Sequence, residues 1–285
     1  MTPRRARILV VPYDSGHCDF RMGAGPRRLI ACGLAGQIRR AGVNVAVEEI
    51  HPEGPEPHGE IAAAFSIAKI LSERVRAASN AGEFPLVLAG NCNSSLGTVS
   101  GLEPDSRGVV WLDAHGDFNT PETTVGGFLD GMALATLTGR CWTALSAGIP
   151  GFVPVPESHV LQLGARELDR SEAEQLAASL VKRAPADASD EEVESLLALL
   201  SHQVKGLYIH LDLDALDSGE GRANAYASRG GYSRVALDKL LERVGRSIPV
   251  KAMGVTAYDP TADVDGRVAK AAIGFVEAVL RELRT

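Results

Sequence analysis

Val109-Val110-Trp111-Leu112-Asp113-Ala114-His115-Gly116-Asp117 is the stretch that decides how this chain is read. Its run of large apolar residues predicts a strand buried on both faces, as in parallel sheets. Ligand-type side chains follow at positions 113, 115 and 117. In extended chain these positions share a face, so two carboxylates and an imidazole converge at the strand end. A second stretch, Tyr208-Ile209-His210-Leu211-Asp212-Leu213-Asp214, places Asp212 and Asp214 on one face in the same way. Four carboxylates gathered without partners repel each other and push their pKa values up. A divalent cation removes the conflict, and an oxygen-rich set with some imidazole suits Mn2+. Either stretch alone is equally consistent with aspartates that merely cap loops. Two such stretches at strand ends in one chain favour a metal site.

Outward from these two stretches, short apolar runs alternate with helical patterns. Strands are expected at 7–13, 43–50, 85–90, 109–114, 159–165, 207–216 and 250–259. Helices are expected at 27–40, 60–81, 131–139, 172–183, 190–203, 236–246 and 267–283. Ser171 with Glu174 and Ser189 with Glu192 have the spacing of capping boxes. Strand–helix alternation on this scale predicts an α/β fold, a three-layer sandwich whose mostly parallel sheet is flanked by helices. Sites in such sheets form beyond the carboxyl ends of the strands. No repeat or linker divides the chain, so residues 1–285 are read as one catalytic domain. The long loop from Asp217 to Tyr232 directly follows a strand, a place where long loops are usually functional.

Composition narrows the function. The 285 residues are 45% hydrophobic and 23% charged, with a formal charge of −7. That balance fits a large core and argues against nucleic acid or an anionic membrane as partner. No apolar run approaches the ~18 residues of a membrane span. The apolar run Ile8–Val11 after the basic N-terminus is too short for a secretory signal. Cys18, Cys32, Cys92 and Cys141 lack finger or redox spacing and read as thiols in a reducing compartment, so a cytoplasmic protein is expected.

The pair WLDAHGDFNTPET and HLDLDALD resembles the arginase/agmatinase (ureohydrolase) family, whose members carry DAHxD and DxDxxD at these places. The likeness extends through VPYDSGH, MGAGP, VLAGNCNSS, LGARELD and TAYDP, nearly the whole chain. It implies an arginase-like fold and two Mn2+ ions, with one ion as the lesser alternative. By match to the motif, Asp113 and Asp212 would bridge, His115 and Asp214 would complete one ion's shell, and Asp117 would serve the other. The implied chemistry is two-metal hydrolysis at a planar C=N carbon of a small guanidino, amidino or formimino compound. Members of the family are often trimeric or hexameric, so a homo-oligomer is compatible with this reading.

The departures from the family pattern are specific. Cys92, in Gly90-Asn91-Cys92-Asn93, stands where the family has a histidine ligand. A thiolate can replace it, as in the family's hydroxyarginine hydrolases, whereas a free cysteine is more commonly a small buried apolar residue. Asp130 stands where a histidine commonly relays protons. It is either a general acid with a raised pKa or a helix N-cap, with the cap slightly preferred. Ala257 occupies the place of the glutamate that pairs with the guanidinium, leaving Asp259 or Glu122 as substitutes from elsewhere. Asn119 matches a residue that contacts the α-carboxylate in arginases, and Asp169 one that meets the α-amino group. Gly126 and Phe128 replace further carboxylate contacts, which makes plain L-arginine a doubtful substrate. His17 reads as a surface residue, His210 as structural on the face opposite Asp212, Trp111 as core and Asp217 as a loop anchor; Arg222 is a loop arginine able to meet an anionic group.

Two functions follow. One is a Mn-dependent hydrolase of a linear C–N bond, releasing urea or a related product. The alternative is a degenerate relative with one metal or none, acting as a binding or regulatory protein. Retention of four aspartates and a histidine, whose clustering is costly without a cation, favours the enzyme.

Overall fold

The computed structural model describes residues 4–52 and 59–283. Its centre is an eight-stranded sheet: β1 (Arg4–Val11), β2 (Val43–Glu49), β3 (Phe84–Ala89), β4 (Gly108–Leu112), β5 (Val160–Leu163), β6 (Lys182–Ala184), β7 (Leu207–Asp212) and β8 (Val250–Thr256). The order is β2-β1-β3-β8-β7-β4-β5-β6, and every pairing in it is parallel. A short antiparallel ribbon, Tyr13–Asp14 with His17–Cys18, stands apart from it.

Alternation along the strands builds two cores. Ile8, Val10, Val110, Leu112, Ile209 and Leu211 face one layer, formed by helices 25–31, 34–40, 190–201, 234–247 and 267–282. Leu9, Val11, Val109, Trp111 and Tyr208 face the other, formed mainly by helices 60–80, 94–100, 133–137 and 170–177. Burial on both faces explains why these strands read as continuous apolar runs. The expected three-layer α/β sandwich is the observed one.

Several local expectations are corrected. The helix expected over 27–40 is two, Gly25–Ala31 and Leu34–Arg40, separated where Gly33 takes φ +95°. The helix expected over 172–183 runs from Arg170 to Ala177, and Lys182–Ala184 forms the edge strand β6. Asp169 is the N-cap there, so Ser171 lies inside the helix and makes no capping box. Ser189 does cap, accepting from the Glu192 N–H. The strand before Asp113 ends at Leu112, and the one through His210 ends at Asp212 before a 3-10 turn at 213–215.

Candidate metal centre and substrate cavity

Four adjacent strands, β3, β8, β7 and β4, deliver the site at their carboxyl ends. Cys92 lies three residues beyond β3, Ala257 directly follows β8, Asp212 ends β7 and Asp113 directly follows β4. The turn after β3 needs Gly90, where a Cβ would meet the Tyr13 carbonyl at 2.3 Å. Beyond β4 the chain is held by Asp113 N donating to Leu163 O and by Arg166 N and Glu167 N donating to Ala114 O. Asp117 then adopts φ +50°, which ends the extended alternation and turns its side chain back toward Cys92 and Asp113. The convergence of 113, 115 and 117 therefore arises from a bent loop rather than from extended strand.

Two groups of possible ligands result, each with donor atoms mutually within 4.8 Å: Cys92, Asp113, Asp117 and His210, and Asp113, His115 and Asp214. Cys92, Asp113, Asp117, Asp212 and Asp214 are all at most 5% exposed. His115 Nδ1 lies 3.4 Å from Asp113 Oδ1 and 3.4 Å from Asp214 Oδ2. The remaining partners are neutral: Trp111 Nε1 donates to Asp113, Cys92 Sγ to Asp212, and the Asn224 amide to Asp214. Asp117 Oδ2 is buried and, among the described residues, has no hydrogen-bond partner.

The electrostatics are those of a site short of positive charge. Burial raises the Asp113 carboxyl, and burial reinforced by neighbouring carboxylates pushes Asp117 and Asp212 well above the usual range. Burial also lifts the Cys92 thiol, aided by Asp130 and Asp117. Asp214 goes the other way, because hydrogen bonding and charge from His115 outweigh its burial. His115 is pushed up to about 12: burial opposes the imidazolium, but Asp113 and Asp214 overcome it. Buried acids, one unpartnered oxygen and a thiol in contact with a carboxylate together fit a divalent cation, which would satisfy all of them.

Above this floor lies a cavity of about 300 Å³ lined by, among others, Asn119, Phe128, Asp130, Glu167, Asp169 and Tyr226. Asp130 does not cap its helical turn. Its carboxylate accepts from Asn93 N and Nδ2 at 3.1 and 3.2 Å and from Asn91 Nδ2 at 2.9 Å. Burial outweighs these donors and raises its pKa to about 7. Asn119 Nδ2 reaches Asp169 Oδ2 at 3.5 Å. Ala257 lines the cavity with φ +59°, a strained value for alanine, and its carbonyl accepts from Asn224. Asp259 is engaged with Thr261, and neither it nor the exposed Glu122 lines the cavity.

The long loop closes one side. Asp217 accepts from Gly219 N and Gly230 N, anchoring it, and Arg166 donates to the carbonyls of Gly164, Asp214, Leu216, Ser228 and Arg229. Arg222 is exposed and donates to loop carbonyls, and His17 is exposed on the ribbon. Trp111 is fully buried, as expected.

His210 departs from its expected place. Standing two residues before Asp212 in one strand, it shares that residue's face and belongs to the first ligand group. It is fully buried, stacks on Trp111 with ring centroids 3.6 Å apart, and burial lowers its pKa to about 3. Two-residue spacing was the signal that could have found it. Asn224, in the loop, had none.

The Arginase family profile matches residues 4–281, and the chain belongs to that family. Its relatives include the arginase of Bacillus caldovelox, 26% identical over 96% of this chain and 97% of the relative, and that of Staphylococcus aureus, 28% identical over 94% of each. A Bacillus subtilis arginase crystal structure superimposes with a TM-score of 0.88 at 26% identity, covering 97% of this chain and 98% of that one. The formimidoylglutamase of B. subtilis shares the fold, with a TM-score of 0.74 at 18% identity over 98% and 87%. The chain is therefore an arginase-family enzyme, a hydrolase of the ureohydrolase type. Among its described residues no helix is long and apolar enough to cross a membrane.

Proposed function

We propose that this enzyme hydrolyses a linear C–N bond in a small guanidino, amidino or formimino compound, using two divalent ions of which Mn2+ is the family's usual choice. The observation that carries the reading is the convergence of Cys92, Asp113, His115, Asp117, Asp212 and Asp214 on the floor of one acidic cavity. Asp113 and Asp212 would bridge, His115 and Asp214 would hold one ion, and Cys92 and Asp117 the other. When bound, the ions supply water activation and stabilise charge developing at the attacked carbon.

The chain's own residues supply the rest. The carboxylates of Glu167, Asp169 and Glu172 give the cavity a negative wall that draws in a cationic substrate. Phe128 and Tyr226, with ring centroids 5.9 Å apart, offer faces for a planar cation. Asp130, whose pKa burial raises in the metal-free fold, lines the cavity and would pass a proton from Oδ2 to the leaving amine. Ala257 offers a methyl group and a carbonyl where a carboxylate would bind a guanidinium directly, so recognition of the head group falls to Asp130 and the aromatic pair.

A screen of guanidino, amidino and formimino compounds with Mn2+-loaded protein tests the proposal. One or more should be hydrolysed, and Asp113→Ala or Asp212→Ala should abolish turnover with circular dichroism unchanged. Undiminished turnover in either variant would overturn the assignment.

A further inference from the structure

Resting on the reading that this site binds divalent ions, we propose that His210 is itself a ligand. With Cys92, Asp113 and Asp117 it forms a sulfur–nitrogen–oxygen site that favours Zn2+ or Co2+ relative to Mn2+ more than the His115 side does. Three observations carry this. First, one donor atom from each of these four residues lies within 4.8 Å of the other three. Second, Asp117 is 5% exposed, and among the described residues its buried Oδ2 has no hydrogen-bond partner. Third, the His210 ring is held as metal-bound imidazoles are held. Its plane lies against Trp111, and its Nδ1 is 3.0 Å from the Tyr208 hydroxyl.

That hydroxyl sits where neighbouring β8 carries Gly254, directly opposite His210; a Cβ there would lie 2.3 Å from the Tyr208 oxygen. In the tautomer whose Nδ1–H donates to the Tyr208 hydroxyl, the lone pair is on Nε2. Nε2 is the ring atom on the Cys92 side: it is 3.3 Å from Thr256 Oγ1, which is 3.5 Å from Cys92 Sγ. A cysteine at a position where the family has histidine is thereby accompanied by an imidazole from β7, two strands away across β8. The set gains a nitrogen donor beside the sulfur and becomes softer. Thiolate and imidazole favour Zn2+ and Co2+, whereas carboxylate-rich sets suit Mn2+.

The test is titration of metal-free protein with Zn2+, Co2+ and Mn2+, followed by calorimetry and by the Co2+ electronic spectrum. Zn2+ outbinds Mn2+ at most protein sites, so the readout is the change in the Zn2+/Mn2+ affinity ratio between variants. Wild type should show a thiolate-to-Co2+ charge-transfer band that Cys92→Ser removes. His210→Ala should weaken Zn2+ at this position by more than about 100-fold, beyond the ~10–100-fold typical of losing an outer-sphere partner. It should also shift the Co2+ band and reduce the Zn2+/Mn2+ ratio. Tyr208→Phe keeps the ring in place and should cost Zn2+ affinity about 10–100-fold, so the idea stays testable if His210→Ala fails to fold. Ion binding with affinity, spectrum and ratio untouched by Tyr208→Phe or a folded His210→Ala would overturn the ligand assignment and leave the hydrolase reading standing. Wild-type protein that binds none of the three ions would overturn both.

Discussion

Asp117→Asn should make the metal-free protein more stable while weakening its response to metal. Asp117 is 5% exposed, one of its oxygens has no partner, and burial with the charges of Asp113 and Asp130 raises its pKa well above the usual value. A carboxyl raised in the fold contributes stability that is present below its unfolded pKa and lost as pH rises through the folded one. Each unit of that rise corresponds to about 1.4 kcal/mol. For a chain of 285 residues, unfolding entropy of ~2.1 cal/mol/K per residue makes this about 2 °C per unit in Tm. Asparagine keeps the shape, carries no charge and tolerates the φ of +50° found here. Calorimetry in chelator should therefore show Asp117→Asn melting above wild type at pH 8, with the gap closing toward pH 4. Added metal should narrow the gap, because an ion at 100 times its Kd stabilises wild type by about 2.7 kcal/mol. A variant that melts at or below wild type in chelator at pH 8 would refute the electrostatic reasoning.

Three further outcomes are expected. Glu83, 7% exposed, receives hydrogen bonds from Arg7 and Arg5 and has its pKa lowered chiefly by Arg7. Its contribution is present above the unfolded pKa and lost as pH falls through the depressed folded value. Glu83→Gln should then cost about 1 kcal/mol at pH 7, discounted for the exposure of both arginines, and nothing in strong acid; a cost independent of pH in urea melts would contradict this. Arg166→Ala frees the carbonyls of Asp214, Leu216, Ser228 and Arg229. It should destabilise by about 2 kcal/mol and speed proteolysis within 217–232, and an unchanged cleavage rate would argue against the clamp. Asp130→Asn should remove one ionising limb from the pH–rate profile of the metal-loaded enzyme; a profile that keeps every limb assigns the proton to another residue.

The fold was legible because its signals are redundant. Strands such as Val109–Leu112 are buried on both faces and announce themselves as apolar runs, while the helices between them are amphipathic. What stayed hidden depended on single residues or on tertiary context. One glycine at position 33 splits a helix whose apolar period continues across it. The edge strand Lys182–Ala184 is three residues long and partly exposed, so it carries no apolar run. Asp113, His115, Asp117, Asp212 and Asp214 were legible as candidate ligands from type and spacing, and the fold brings them together. Their convergence, however, uses a left-handed residue at 117 that spacing does not reveal. Asp130 read as a cap because aspartate so often caps. Its bonds run instead to Asn91 and Asn93, a segment far away in sequence. Asn224 carries no local signal, since it matters only through contact with Asp214 and Ala257.

The central claim is that this acidic floor is a binuclear cation site. Equilibrium dialysis of chelator-stripped protein against Mn2+, followed by elemental analysis, addresses it directly. The account predicts two metal atoms per chain for wild type, and their loss in Asp113→Ala. One atom per chain in wild type, with Mn2+ and in a parallel dialysis with Zn2+ alike, would contradict the binuclear site, and none with either would contradict a cation site altogether.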